Sequence, residues 1–541
     1  MMTYSPHASA RRHVSPARDA FDIARQLVDS AVPDLADIAA VEVSDALFDE
    51  RSALSEAGAC QGFRRAAFRA VCGHGSRCAY RIGEVSRIPS GTPYRRTLSD
   101  RRPRVIASLP PQAHWLARDP VRAPLMHQDR VHSLMVVPLV AHRVVLGLVA
   151  FYRCNGSSPF GKADLRTAAR LAGQAARMLD DVHRDLREQA MGRILQHALL
   201  ARPPHLTAVE DVRGHVPADG APGGWFDVIP LPGTRVGLSV GSTGGRGIAA
   251  AAVMSQQKAR VAALAALDVE PVEALTHSLR PSTVTATPPP VDGSAADRSS
   301  AETHCLYAVY DPVTRRCTAA RAGAAGLTVV APDGDVTSVG PTASDAADGD
   351  GYDVAVFDVP PGSLLVLSCA GAPEQRGDAP DDQEARNGAC TGGEARLPLT
   401  GRGAHVLLTA RTRAVAPMDI ATWELPNDPT AVANARDRTA TQLTAWGLPD
   451  LSFNTTLVVS ELVTNAIRYS TGPIGLRLIR DAALICEVSD NSSAAPRTHL
   501  PAPSDQGGRG LIIVAHLARA HGTRYTAPGK IVWAEQAIDV A

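Results

Sequence analysis

The stretch Val-Val-Ser-Glu-Leu-Val-Thr-Asn-Ala-Ile-Arg-Tyr, residues 458–469, decides the fold of the C-terminal part of the chain. Its apolar residues recur with the period of an α-helix, which predicts an amphipathic helix. Glu461 and Asn465 are four residues apart, so they lie one turn apart on one face. A carboxylate beside a carboxamide on one helix face can serve proton transfer and magnesium coordination.

Two further motifs follow this helix in order. The run at 484–490 is predicted to be a β-strand ending in Asp490, a position suited to accept a hydrogen bond from an amino group. A glycine-rich segment at 507–510 then precedes an apolar helix. Free backbone N–H groups and the dipole at such a helix start favour phosphate.

Together the three motifs resemble the GHKL ATPases, and within them the bacterial anti-sigma-factor serine kinases, over residues 417–541. The resemblance implies that Asn465 holds the Mg²⁺ of bound ATP, that Glu461 orients or deprotonates the attacking serine hydroxyl, and that Asp490 accepts from the adenine amino group. It also implies that the ATP phosphates contact Gly507, Gly508, Arg509 and Gly510. GHKL proteins have a glycine two positions after the aspartate, where this chain has Ser492, and this departure leaves the loop geometry open.

The middle of the chain, residues 203–413, shows short β-like runs separated by glycine and proline. Several phrases are similar to the sporulation-type branch of metal-dependent serine/threonine phosphatases. They are the segments at 194–200, 223–229, 241–252, 304–311 and 361–367. Two low-complexity insertions, at 281–302 and 373–394, are predicted to be loops without a fixed structure.

The metal-binding aspartates that this resemblance implies are mostly missing. Such phosphatases hold two divalent cations with carboxylates, and these cations generate the attacking hydroxide. Asp227 remains at the first site, but four aspartate positions carry other residues, namely Gly224, Ser242, Ala370 and Ala404. Arg246 also stands where the family has a histidine, adding positive charge. The prediction is a phosphatase-like domain that binds no pair of Mn²⁺ or Mg²⁺ ions.

Residues 15–184 are similar to GAF sensor domains, chiefly in their closing segment. The segment 41–47 is predicted to be an early β-strand. Two apolar runs, at 134–140 and 144–152, predict an antiparallel strand pair that turns at His142 and Arg143. A helix follows from Ala163 and is predicted to form a connector over 163–202, which can be one capping helix or a seam for homodimerisation. No residue here identifies a ligand.

Composition limits the classes of function. The chain has 541 residues, enough for about three domains. Its formal net charge is zero, which argues against broad electrostatic binding to nucleic acid or membrane. The nine cysteines have no repeated spacing and are predicted to be free thiols. No apolar signal segment is recognised, so a cytoplasmic location is expected.

The expected fold class is α+β multidomain: a GAF-like α/β sensor, a phosphatase-like α-β-β-α sandwich and a GHKL (Bergerat) α/β sandwich. The expected function is an ATP-binding regulator with serine kinase activity in a sigma-factor partner-switching pathway. Its partners would be an anti-sigma antagonist and a sigma factor. Two alternatives stay open: an active phosphatase acting on a phosphorylated antagonist, and a non-enzymatic protein that responds to ATP.

Overall fold

The computed structural model describes residues 20–48, 54, 62–71, 78–154, 156–200, 204, 206–217, 223–245, 247–279, 303–339, 352–370, 405–494, 510–526 and 528–538. The chain divides into two compact units, Met1–Ile194 and Leu195–Ala541. The two predicted insertions, Arg246, Ala404 and the segment 507–509 lie outside the described residues.

The first unit is built on a six-stranded antiparallel sheet in the order β3-β2-β1-β6-β5-β4. Its strands are β1 (Ile38–Ser44), β2 (Phe63–Ala70), β3 (Val85–Ser86), β4 (Arg104–Ile106), β5 (Val131–Ala141) and β6 (Val144–Cys154). The predicted turn is confirmed, since His142 and Arg143 join β5 to β6 with φ of 44° and 68°. Two successive positive φ values give a turn whose twist matches that of the flanking strands.

Helices cover both faces of this sheet. They are α1 (Ala20–Ala31), α2 (Pro93–Asp100), α3 (Ala123–Gln128) and α4 (Lys162–Leu199). Helices α1 and α4 pack on one face, where Ala168, Ala172, Ala176 and Leu179 of α4 are buried at helical spacing. Helices α2 and α3 lie on the other face. The long helix that the sequence predicts from Ala163 is confirmed.

The second unit begins with two five-stranded antiparallel sheets, ordered β14-β11-β10-β9-β8 and β13-β12-β15-β16-β7. Their strands are β7 (Val209–His215), β8 (Gly224–Pro230), β9 (Val236–Thr243), β10 (Thr303–Asp311), β11 (Arg316–Ala322), β12 (Ala325–Val330), β13 (Val336–Val339), β14 (Asp353–Asp358), β15 (Leu364–Ala370) and β16 (His405–Thr412). Leu238 and Leu306 of one sheet share a core with Leu365 and Leu408 of the other. Helices α5 (Gly247–Ala266) and α6 (Pro271–Leu279) cover the outer face of the first sheet, over Trp225.

The same unit ends in an α/β sandwich with the sheet order β17-β18-β19-β21-β20. Its strands are β17 (Ile420–Leu425), β18 (Ile474–Arg480), β19 (Ala483–Asp490), β20 (Ala520–Thr526) and β21 (Gly529–Ala537). Its helices are α7 (Thr430–Ala445), α8 (Ser452–Tyr469) and α9 (Gly510–Leu517), and they share a core with one face of the sheet. The fold class predicted from the sequence is confirmed as α+β with several domains.

None of the helices in the described ranges combines the length and the apolar character needed to cross a membrane.

Candidate functional site

Helix α8 positions Glu461 and Asn465 at the surface of the C-terminal sandwich. Val458, Leu462 and Val463 are buried against the sheet, as their helical spacing predicts. The opposite side of the helix is more exposed, and Glu461 and Asn465 are both half-buried there. The structure therefore places the predicted carboxylate and carboxamide one turn apart on the accessible side of a well-anchored helix.

The carboxylate of Glu461 lies beside the first residue of α9. A Cβ atom at Gly510 would come within 2.5 Å of Glu461 Oε2. Only glycine therefore lets the helix start and the carboxylate approach so closely without one of them moving. A helix start carries partial positive charge that favours anions. Here the Glu461 carboxylate is an anion that lies close to the backbone of the helix start. Gly507, Gly508 and Arg509, which precede it, fall outside the described residues.

Asp490 is the last residue of β19, as the sequence predicts. It forms a buried ion pair with Lys530, whose Nζ donates to Asp490 Oδ1 over 2.8 Å. The backbone N–H of Ser492 donates to the same oxygen, also over 2.8 Å. Ser492 is not among the described residues with positive φ, so the serine fits where the GHKL pattern has glycine.

The two ends of the candidate nucleotide site differ. The end with Gly510 and Asn465 suits the phosphates and magnesium, whereas the Asp490 carboxylate at the other end already has a partner. The space beside Gly510 is taken by the Glu461 carboxylate, and the carboxamide oxygen of Asn465, one turn along the same helix, is a hard ligand of the kind magnesium prefers. The carboxylate assigned to adenine already binds the Lys530 ammonium. Sequence reasoning missed Lys530, and the only signal for it was a lysine directly after a glycine at the start of a closing strand.

In the middle sandwich, Gly224 and Ser242 face each other across β8 and β9. Apolar packing fills the position that an aspartate side chain would take, because a Cβ at Gly224 would lie 2.5 Å from Val406 Cγ2. Gln196 Nε2 also donates to the Gly224 carbonyl over 2.8 Å. Ala370 lies at the end of β15. The described part of this sandwich thus has side-chain packing at a position where the phosphatase resemblance expects a metal ligand.

The one remaining acidic residue of that set, Asp227, faces a lysine. Lys258 Nζ lies 3.6 Å from Asp227 Oδ1 and also donates to the Leu199 carbonyl over 3.0 Å. Among the described residues, no group of three or more His, Cys, Asp or Glu side chains is arranged to hold a metal. Lys258 was not singled out from the sequence, since it lies in an otherwise ordinary helical segment.

The first unit contains a buried cluster of charges that the sequence did not reveal. Glu42 pairs with Arg65 over 2.7 Å and with Arg122 over 3.1 Å, and Arg122 pairs with Asp119 over 2.9 Å. All four side chains are at least 95% buried. Burial alone would raise the pKa of Glu42, but the two guanidinium groups outweigh it and hold the pKa below its usual 4.5.

Cys78, Cys305, Cys317 and Cys486 carry free thiols. Cys305, Cys317, Cys369 and Cys486 are buried, and burial raises the pKa of Cys369 to about 12. These thiols are therefore protonated core residues, as expected from the sequence.

Three family models match separate parts of the chain. The GAF domain matches residues 32–179, the stage II sporulation protein E family matches 232–405, and the histidine kinase-like ATPase domain matches 425–535. No curated protein matches the chain.

Several solved structures are similar to parts of the chain. The RsbU and RsbW domains of a Mycobacterium tuberculosis protein are 18% identical, covering 61% of this chain and 95% of that one, with a TM-score of 0.28. The GAF-B domain of DevS from Mycobacterium smegmatis is 19% identical, covering 31% and 98%, with a TM-score of 0.22. A GAF domain/HD domain protein from Geobacter sulfurreducens is 18% identical, covering 31% and 95%, with a TM-score of 0.22.

The family matches agree in order with the folds described above and with the motifs that the sequence presents. Three parts of this multidomain chain are therefore similar, in order along the sequence, to the GAF domain, to stage II sporulation protein E and to the histidine kinase-like ATPase domain.

Proposed function

We propose that residues 417–541 bind Mg-ATP and phosphorylate a serine of an anti-sigma antagonist, within a partner-switching regulator of a sigma factor. The observation that carries this proposal is the contact between the Glu461 carboxylate and the glycine start of α9, with Asn465 one turn further along α8. A carboxylate that can accept a proton, a carboxamide suited to magnesium and a helix start suited to phosphate lie near one another, and this supports the proposal.

Each residue has a distinct proposed role. Asn465 offers its carboxamide oxygen to magnesium, and Asp490 accepts from the amino group of adenine. Bound Mg-ATP supplies a phosphoryl group whose charge is partly neutralised by the metal. Glu461 orients the serine hydroxyl and accepts its proton, which makes this carboxylate important for transfer rather than for nucleotide affinity.

The test measures ATP binding and serine phosphotransfer by the full chain and its variants. Asn465→Ala should abolish magnesium-dependent binding. Glu461→Ala should keep ATP affinity but lose transfer by about 10²–10⁴-fold, because a general base acts mainly on the transition state. Asn454→Ala, on the same helix, is the matched control. Equal ATP binding by the wild type and Asn465→Ala would show that the site is wrongly assigned.

We also propose that the middle sandwich does not hydrolyse phosphoproteins. Lys258 beside Asp227 and Val406 beside Gly224 support this, since both take up space or charge that a cation pair would need. Calorimetric titration with Mn²⁺, alongside a phosphatase assay on a phosphoserine antagonist, should give neither binding of two ions nor turnover. Tight binding of two ions with turnover would support the alternative, an active phosphatase.

The remaining proposals concern regulation. The GAF domain is proposed to be the sensor, and α4 to support a homodimer, which sedimentation of the full chain would test. If the wild type binds ATP but transfers phosphate to no antagonist, the protein is better described as a non-enzymatic regulator whose partner binding responds to ATP.

A further inference from the structure

The ion pair between Lys530 and Asp490 lies where the proposed ATP site needs a free hydrogen-bond acceptor. The Lys530 side chain is 5% exposed and that of Asp490 is 2% exposed. The two residues are direct neighbours across β19 and β21. Lys530 Nζ also donates to the Ser492 carbonyl over 3.2 Å, so the ammonium is held from two sides.

The backbone around this pair favours the contact. A Cβ at Gly529 would come within 2.0 Å of the Asp490 carbonyl oxygen, so glycine lets β21 begin directly against the end of β19. The register between β19 and β21 therefore fixes Lys530 beside Asp490. The contact does not depend on a surface side chain that is free to move. A buried ammonium this close to a buried carboxylate is a strong partner, since little water screens the pair.

An adenine base would compete with this ammonium. Its amino group would donate to the same carboxylate, whose negative charge is already paired with the Lys530 ammonium and whose Oδ1 also accepts from the Ser492 N–H. We propose that Lys530 is an internal competitor for the adenine-binding carboxylate, so that it lowers the affinity for ATP and sets the concentration at which the site fills. This inference rests on the proposed ATP site and adds a way in which the affinity of that site for ATP is regulated.

The energetic consequence has a clear sign. Replacing Lys530 by methionine removes the ammonium, keeps much of the apolar stem and leaves Asp490 as a buried carboxylate without its cation. Such a group is costly in the free protein. A donated hydrogen bond from the adenine amino group relieves part of that cost, so ATP should bind the variant more tightly and stabilise it more.

The experiment compares ATP with inosine triphosphate, which has a carbonyl oxygen in place of the 6-amino group. Calorimetry on the full chain with magnesium should show that Lys530→Met binds ATP at least tenfold more tightly than the wild type, with no such gain for inosine triphosphate. Lys530→Arg keeps the positive charge and should retain weak ATP binding. Lys258→Met removes a similar lysine–aspartate pair from the middle sandwich and should leave both affinities unchanged.

A second pair of variants keeps the proposal testable if Lys530→Met does not fold. Asp490→Asn/Lys530→Met carries neither charge, and it should bind ATP more tightly than Asp490→Asn, in which the ammonium still lies on the carboxamide. Unchanged or weaker ATP binding by Lys530→Met or by this double variant, in a protein whose wild type binds ATP, would overturn the inference. Failure of the wild type and every variant to bind ATP would instead refute the proposed ATP site.

Discussion

At the scale of single residues, the buried pairs of this protein show how location changes the meaning of a charge. Glu42 has no feature in the sequence that distinguishes it from a surface glutamate. In the structure it is buried between Arg65 and Arg122. Arg65 lies on the neighbouring strand β2, and Arg122 directly precedes α3. Removing one member of such a cluster leaves the others buried and uncompensated.

Glu42→Ala is expected to destabilise the GAF domain by about 3–5 kcal/mol, because two buried arginines lose their carboxylate. The pH dependence has a defined sign. The pKa of Glu42 is lowered in the folded state, so its contribution is fully present above pH 4.5 and is lost as the pH falls below that value. Hydrogen exchange at the β1 and β2 amides of the full chain measures both effects.

Glu84→Ala is the control for this prediction, since Glu84 lies nearby without being part of the buried cluster. Its exchange rates should match those of the wild type. If the domain of the wild type loses no protection as the pH falls from about 5 to about 2, or if Glu42→Ala loses it in parallel, the ion cluster does not stabilise the fold as described.

At the scale of elements, sequence periodicity predicted the helices and strands that carry the candidate site. The period of residues 458–469 predicted α8, and the apolar run before Asp490 predicted the end of β19; both are confirmed. Sequence placed an early strand from Val41 to Leu47, whereas β1 spans Ile38–Ser44 and residues 45–47 form a 3₁₀ turn. Ser44 caps that turn by accepting from the Ala46 N–H, a local competition that strand periodicity does not reveal.

The contacts of Asp490 with Lys530 and of Glu461 with Gly510 could not be predicted from the sequence, for a physical reason. Lys530 is 40 residues from Asp490 along the chain, and only the β19–β21 register brings the two together. The contact of Glu461 with Gly510 likewise depends on how α9 packs against α8. Periodicity specifies which face of an element is buried, but it carries no information on the register between elements.

Gly510→Ala is expected to impair transfer with little cost in stability. The new Cβ displaces the Glu461 carboxylate, which is the flexible end of a side chain, so the backbone does not have to move. Phosphotransfer should fall at least about tenfold, and ATP affinity should fall as well, because the added Cβ also stands where phosphate would approach the helix start. Gly173→Ala on α4, where a Cβ has only one neighbour at 4.0 Å, is the matched control.

A second prediction at this scale concerns β8. Gly224→Ala should destabilise the middle sandwich by about 1–3 kcal/mol, because its Cβ overlaps Val406 Cγ2. Val406→Ala creates space at the same point, so the double variant should be more stable than the sum of the two single losses predicts. Amide exchange of β8 and β9 in increasing denaturant measures the stability of all three variants. Strict additivity would mean that this packing does not exclude a side chain at 224.

At the scale of the second unit, the middle sandwich and the ATPase sheet share contacts of their own. The loop between β8 and β9 meets β21, where the Gly233 N–H donates to Glu535 Oε1 over 2.8 Å. The connection that follows β16 is fixed as well, since the Arg413 N–H donates to the Ala208 carbonyl and the Val415 N–H to the Pro312 carbonyl. Strand β21 therefore carries both Lys530, which pairs with Asp490, and Glu535, which accepts a hydrogen bond from the middle sandwich.

Glu535→Ala is expected to loosen this contact without unfolding either part. Hydrogen bonds to charged groups contribute about 1.5–3 kcal/mol, and this one joins a loop to a sheet instead of supporting a core. Amide exchange at Gly233 should accelerate at least about tenfold, which corresponds to a local loss of about 1.4 kcal/mol. Glu424→Ala, on the exposed side of edge strand β17, is the matched control and should leave that amide unchanged.

Because β21 also carries Lys530, Glu535→Ala should shift the ATP affinity if the two ends of the strand are coupled. Faster exchange with unchanged ATP affinity would show that the contact only tethers the two parts, whereas unchanged exchange would show that Glu535 does not hold the loop.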